Sequence, residues 1–143
     1  MSEIYSNCWS TTLCLPSVRG AGKPFINELL RELSQKGWSA QEIFGVHLAV
    51  EEALVNAIKH GNRLDENKQV RVCCRVLPDR LWIEIADEGC GFDPRCVPDC
   101  TADENLETPN GRGIMLMRSF MSRVEYSPQG NCVVLEKKRE AES

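Results

Sequence analysis

Glu52 and Asn56 stand four residues apart in a stretch, 40–60, whose apolar positions repeat with helical spacing. Four residues is about one helical turn, so a carboxylate and a carboxamide stack on one face. A carboxamide oxygen can ligate Mg²⁺, a hard cation that takes oxygen ligands. A carboxylate can take a proton from an attacking hydroxyl or water. Around a phosphate the two would divide the work, Asn56 holding the metal and Glu52 acting as base. The plainer explanation is that the far face of an amphipathic helix is polar because it is wet. Leu48 and Val55 border this side, however, and a mixed polar and apolar face is more like a pocket wall. Glu51 falls at the edge of the core-facing side. Lys59 and His60 continue the polar edge, although a cation near the last carbonyls of a helix explains His60 as well.

Two glycine-bearing loops are the other chemical candidates. Asp87-Glu88-Gly89-Cys90-Gly91-Phe92 follows the strand-like run 81–86. An aspartate held at a strand end can accept the exocyclic N–H of an adenine, and Gly89 and Gly91 would let backbone approach a flat base or sugar. A turn after a strand favours Asp and Gly for ordinary reasons too. Asn110-Gly111-Arg112-Gly113 leads into Ile114-Met115-Leu116-Met117. Glycines before a helix start expose amides toward an anion, and Arg112 adds a fork of donors. The Met115 and Met117 pair reads as core filling. No G-x-x-x-x-G-K-[ST], H-R-D or D-F-G set occurs, which argues against P-loop and eukaryotic-type kinase mechanisms.

These residues need a scaffold. Residues 4–15 are rich in β-branched and aromatic types and end at Pro16, which predicts a strand. Ile26, Leu29, Leu30 and Leu33 predict a helix that starts near Lys23, because Gly20 and Gly22 precede it and Pro24 suits only a first turn. Gly37 ends it, and Ser39-Ala40-Gln41-Glu42 fits a capping box opening a second helix over 40–60. Ile43, Val46, Val50, Leu54, Ala57 and Ile58 form its core face. Residues 70–77 and 81–86 predict a hairpin turning at Pro78-Asp79. Residues 88–110, dense in Gly, Pro, Asp and Asn, predict a long functional loop. A short helix over 112–121 and a hairpin of 124–126 with 131–137 follow, then a charged tail. Helices must cover one sheet face, so the expected fold is an α/β two-layer sandwich with a mixed, mainly antiparallel sheet.

The chain has 143 residues, which suits one domain, expected over 1–138 with the tail at 139–143. Lys plus Arg number 17 against 21 Asp plus Glu, so the net charge of −4 argues against a nucleic-acid or anionic-membrane surface. No apolar run approaches the ~20 residues of a membrane helix, and the first residues lack a signal-peptide pattern. The expected location is cytoplasmic, where the eight cysteines would stay reduced. Cys90, Cys96 and Cys100 do not match common zinc spacings. Adjacent Cys73 and Cys74 would point to opposite faces of a strand.

Taken together, three segments resemble the ATP-binding boxes of the GHKL ATPases. Residues 48–62 resemble the N box, 87–94 the adenine-binding G1 box and 111–117 the G2 box. Within that superfamily the short chain is most similar to bacterial anti-sigma-factor serine kinases. The resemblance implies the Bergerat ATP-binding fold. It also implies Mg²⁺ on Asn56, Glu52 as catalytic base, and Asp87 on the adenine amino group with Gly89, Gly91 and Phe92 beside it. Lys59 and His60 would extend the nucleotide site, and Gly111, Arg112, Gly113 and Ile114 would close on the phosphates. It further implies a sigma factor and an anti-sigma-factor antagonist as partners, the antagonist being phosphorylated on serine, and a homodimer. A non-catalytic ATP-binding switch and a stand-alone histidine-kinase-type ATPase domain are the alternatives.

Overall fold

The computed structural model describes residues 8–89, 115 and 117–139. Five strands form one sheet: β1 (Trp9–Pro16), β2 (Gln69–Val76), β3 (Arg80–Ala86), β4 (Arg123–Tyr126) and β5 (Cys132–Lys138). Their order is β1-β2-β3-β5-β4, and every pairing among the described strands is antiparallel. The parallel component expected of a mixed sheet is therefore missing among the described residues. The physical reason is that the last two strands form an antiparallel hairpin and it is the second of them, β5, that docks antiparallel on β3.

Alternation decides which face is covered. In β2, Val70, Val72, Cys74 and Val76 point inward and are buried, whereas Arg71 and Arg75 are exposed. Leu81, Ile83 and Ile85 of β3 and Val133 and Leu135 of β5 extend the same apolar surface. Two helices cover it, α1 (Lys23–Gln35) through Phe25, Ile26, Leu29 and Leu33, and α2 (Ala40–Val55) through Val46, Ala49, Val50, Ala53 and Leu54. This is the expected two-layer sandwich, with helices on one face only. Cys73 and Cys74 do divide between the faces, and burial pushes the Cys74 thiol well above its ordinary pKa, which keeps it protonated.

The start of α1 follows the glycines and proline: Gly20 has φ +80°, Gly22 is the N-cap, and Pro24 lies in the first turn. A Cβ on Gly22 would lie 2.7 Å from Leu54 Cδ1, so small size at this position lets α1 close onto α2. The capping box of α2 forms as expected. Glu42 N–H donates to Ser39 Oγ at 3.0 Å, and Ser39 N–H donates to Glu42 Oε1 at 2.9 Å.

Three expectations are corrected. The second helix is not regular to residue 60, since α2 ends at Val55 and Asn56–Gly61 is a wider, π-type turn. Its bonds run over longer spans, as when Asn62 N–H donates to the Ala57 carbonyl at 2.9 Å. Met115 is not core: it is 69% exposed while Met117 is fully buried. Two residues subtend about 200° on a helix, so the pair must lie on opposite sides. Arg139, assigned to the charged tail, is anchored to the domain, with Nη2 donating to the Gly37 carbonyl at 2.6 Å and the guanidinium over the Trp38 ring.

Candidate active site

The π-type turn meets the end of β3 at one corner of the sandwich. Gly61 and Gly89 are where the two segments touch. A Cβ on Gly61 would lie 2.2 Å from Asp87 Oδ2, and one on Gly89 would lie 2.0 Å from the Gly61 carbonyl oxygen. Only residues without a side chain permit this approach. Asp87 is then fixed from several sides. Its N–H donates to the Asn131 carbonyl at 2.9 Å, and its Oδ1 accepts from Gly89 N–H at 2.8 Å. Burial raises its carboxyl pKa to about 6, opposed by the Gly89 bond and by the charge of Lys68.

Beneath this contact lies a polar knot that sequence reasoning missed. Asn62 is 1% exposed. Its Oδ1 accepts from Glu88 N–H at 2.7 Å, and its Nδ2 donates to the Gln69 carbonyl at 3.0 Å and to Ser17 Oγ at 2.8 Å. Ser17 Oγ donates to the Lys68 carbonyl at 2.6 Å, and Gln69 N–H donates to Glu88 Oε2 at 2.5 Å. One buried carboxamide thus ties the ends of β1 and β3 and the start of β2 to the π-type turn. Arg63 and Leu64, both at positive φ, carry the chain away from it. An asparagine after a glycine reads as turn punctuation in the sequence, so no local signal marks it.

Glu52 and Asn56 project from the last turn of α2 and the first residue of the π-type turn. Both side chains are half-buried rather than wet. Glu52 Oε1 and Asn56 Oδ1 are buried and have no hydrogen-bond partner among the described residues. A buried acceptor without a donor is costly unless a ligand completes it. Burial, and secondarily the adjacent charge of Glu51, raises the Glu52 carboxyl above its ordinary range. Glu51 itself is exposed, not at the core edge, and lies 3.4 Å from His47 one turn back. Tyr126, at the end of β4, was also missed. Its side chain packs on the core within electrostatic reach of both Glu52 and Asp87.

The structure thus brings Glu52, Asn56, Asp87 and Gly89 to one corner. Lys59 is exposed, and His60 is half-buried at the end of the same turn. Gly91, Phe92, Gly111, Arg112, Gly113 and Ile114 lie outside the described residues, as do Cys90, Cys96 and Cys100. An oxygen donor such as Asn56 Oδ1, buried and unbonded, suits a hard cation. Among the described residues no group of three or more His, Cys, Asp and Glu could hold a metal ion. A magnesium ion here would depend on Asn56 and on ligands brought by the nucleotide, the usual habit of that ion.

Residues 21–137 match the histidine kinase-like ATPase domain, and the chain belongs to that family. Among its relatives, the serine-protein kinase RsbW of Bacillus subtilis is 32% identical over 109 residues, covering 71% of this chain and 67% of the relative. The anti-sigma F factor of Clostridium acetobutylicum is 38% identical over 106 residues, covering 68% and 71%. The RsbW of Bacillus licheniformis is 34% identical over 99 residues, and the match spans only 61% of its length. The fold is also that of a crystal structure of RsbU and RsbW domains from Mycobacterium tuberculosis. That structure has a TM-score of 0.62 and 14% identity over 92% of this chain and 32% of the other. No helix of the described residues is long and apolar enough to cross a membrane.

Proposed function

We propose that the chain is an Mg-ATP-dependent serine protein kinase and anti-sigma factor, which holds a sigma factor and phosphorylates an antagonist protein on serine. The observation that carries this reading is the pair of buried acceptors, Glu52 Oε1 and Asn56 Oδ1, left without donors among the described residues. The relatives named serine-protein kinase and anti-sigma factor supply the substrate class and partners.

In this reading Asp87 accepts a hydrogen bond from the adenine amino group, and Gly61 and Gly89 let the two segments close up and so fix its carboxylate. Asn56 Oδ1 ligates magnesium, which when bound neutralises charge on the phosphate oxygens. Glu52 takes the proton from the acceptor serine hydroxyl as its oxygen attacks the γ-phosphorus and ADP departs. The raised pKa of Glu52 makes it a stronger base while leaving it ionised above its own pKa. Lys59 and His60, and Gly91, Phe92 and residues 111–114, complete the nucleotide site by family resemblance. The protein works in the cytoplasm as a homodimer, over a single domain at 1–138.

The test is incubation with labelled ATP and candidate antagonists from the same genome. Acid-stable label on an antagonist serine is the expected result. Measurable ATP affinity with no labelled serine on any candidate would leave a binding switch, and acid-labile label would indicate a phosphohistidine and hence a histidine-kinase-type domain.

A further inference from the structure

We propose that Asn62 is a positioning residue for the adenine contact: its side chain pins the peptide that follows Asp87 and so fixes the direction in which that carboxylate is presented. This rests on the reading of Asp87 as acceptor for the adenine amino group. Asn62 closes the segment that resembles the N box, and that resemblance assigns it no role.

Two peptide planes flank the Cα of Asp87, and each is held by a bond from another part of the fold. Ahead of it, Asp87 N–H donates to the Asn131 carbonyl at 2.9 Å. Behind it, Glu88 N–H donates to Asn62 Oδ1 at 2.7 Å. A peptide unit is planar, so fixing the plane on each side of a Cα fixes φ and ψ there, and with them the direction of Cβ. Gly89 N–H then holds the carboxylate itself through Oδ1 at 2.8 Å.

Asn62 is itself held firmly enough to act as an anchor. Its backbone closes the π-type turn, with N–H donating to the Ala57 carbonyl at 2.9 Å and the carbonyl accepting from Asp65 N–H at 3.0 Å. Its Nδ2 donates to the Gln69 carbonyl at 3.0 Å and to Ser17 Oγ at 2.8 Å. Ser17 Oγ uses its own hydrogen on the Lys68 carbonyl, so toward Asn62 it can only accept. A carboxamide that donates in two directions has both its plane and its sense fixed, which leaves Oδ1 aimed at the Glu88 amide. These three bonds run to strand ends, at Ser17, Gln69 and Glu88, rather than to α2, which carries Glu52. Without the side chain, ψ of Asp87 is released. Hydrogen bonds weaken steeply with misdirection, so a turned carboxylate loses the adenine contact while the phosphate side of the site keeps its own support.

The test compares ATP with purine ribonucleoside triphosphate, which carries hydrogen in place of the exocyclic amino group. Affinities are measured by calorimetry at constant magnesium for the wild type, Asn62→Ala and Ser17→Ala. The wild type should prefer ATP by about tenfold or more, the effect of one charge-assisted hydrogen bond. In Asn62→Ala the preference should fall to about threefold or less, with the loss on ATP and the analogue bound as before. Ser17→Ala opens the same knot but leaves Glu88 N–H on Oδ1. Both variants should therefore melt at lower temperature, while Ser17→Ala keeps the wild-type preference. In the wild type without nucleotide, the Glu88 amide should exchange with solvent far more slowly than in an unstructured chain, a measurement that does not require Asn62→Ala to fold. A wild-type preference kept in Asn62→Ala, an equal loss for both nucleotides, or a freely exchanging Glu88 amide overturns the inference alone. Loss of the preference in Ser17→Ala overturns it too, because the role would then belong to the knot as a whole. A wild type that binds the two nucleotides equally overturns the reading of Asp87 and this inference together.

Discussion

The two ends of α2 each carry a glutamate that is not free in water, and they use it in opposite ways. At the N-terminus Glu42 is 4% exposed and satisfied, accepting from Ser39 N–H while its own N–H bonds Ser39 Oγ. At the C-terminus Glu52 is half-buried with one oxygen unpartnered among the described residues, next to an asparagine in the same condition. A closed hydrogen-bond pair fixes where a helix starts and adds to stability. An open pair costs stability until something binds. The contrast teaches that burial of a carboxylate does not by itself mark a functional residue, whereas burial without a partner does.

The largest test of the contrast is Glu52→Ala. Phosphoryl transfer should fall by about 10²–10⁴-fold, the usual contribution of a positioned base. ATP affinity should be largely kept and the melting temperature unchanged or raised, which a transfer assay, calorimetry and a thermal melt would show. A variant that transfers normally but no longer binds nucleotide would reverse the roles assigned to the two ends.

Asp87→Asn comes next. ATP binding should weaken by at least tenfold, about the loss expected when a charge-assisted hydrogen bond is removed. Its effect on stability has a sign worth working out. The folded pKa of Asp87, about 6, lies above its ordinary 3.8. Between those values the folded state binds more protons than the unfolded state, so the Asp87 contribution to stability falls as pH rises through that window. The variant should therefore flatten the pH dependence of denaturant unfolding between about pH 4 and 6, and be the more stable protein above it. A wild type that gains stability with pH through Asp87 would contradict the burial described.

At the closed end, Ser39→Ala should cost about 1 kcal/mol of unfolding free energy, the usual value of an N-cap, with transfer per folded molecule unchanged. The smallest effect belongs to the exposed pair midway along α2. His47→Ala, which removes the contact with Glu51, should shift stability by less than about 0.5 kcal/mol and leave transfer alone. A loss comparable to that of Ser39→Ala would mean the middle of α2 carries more than a solvated contact.

Local pattern was enough for much of this molecule. Helical and strand periods placed the core faces of α1, α2 and β2, because side-chain direction is set by backbone geometry within a few residues. The capping box, Pro24 and the turn at Pro78 act over equally short range. Glu52, Asn56 and Asp87 were legible as chemistry for the same reason, since one helical turn or one strand end defines their spacing. The exposure of Met115 was legible too, had the two-residue offset from Met117 been applied.

Other features depended on contacts between distant segments. The Asn62 knot joins positions 45 and 26 residues away, and Tyr126 comes within electrostatic reach of Glu52 and Asp87 only because β4 pairs with β5 and β5 with β3. The wide turn at Asn56–Gly61 has no breaker before its closing Gly61. It goes with the close meeting of Gly61 and the Asp87 carboxylate, which belongs to another strand. Short-range geometry can be read from residue order, whereas hydrogen bonds across the fold exist only once packing has brought their partners together, and in this protein those bonds hold the end of β3 against the turn that follows α2.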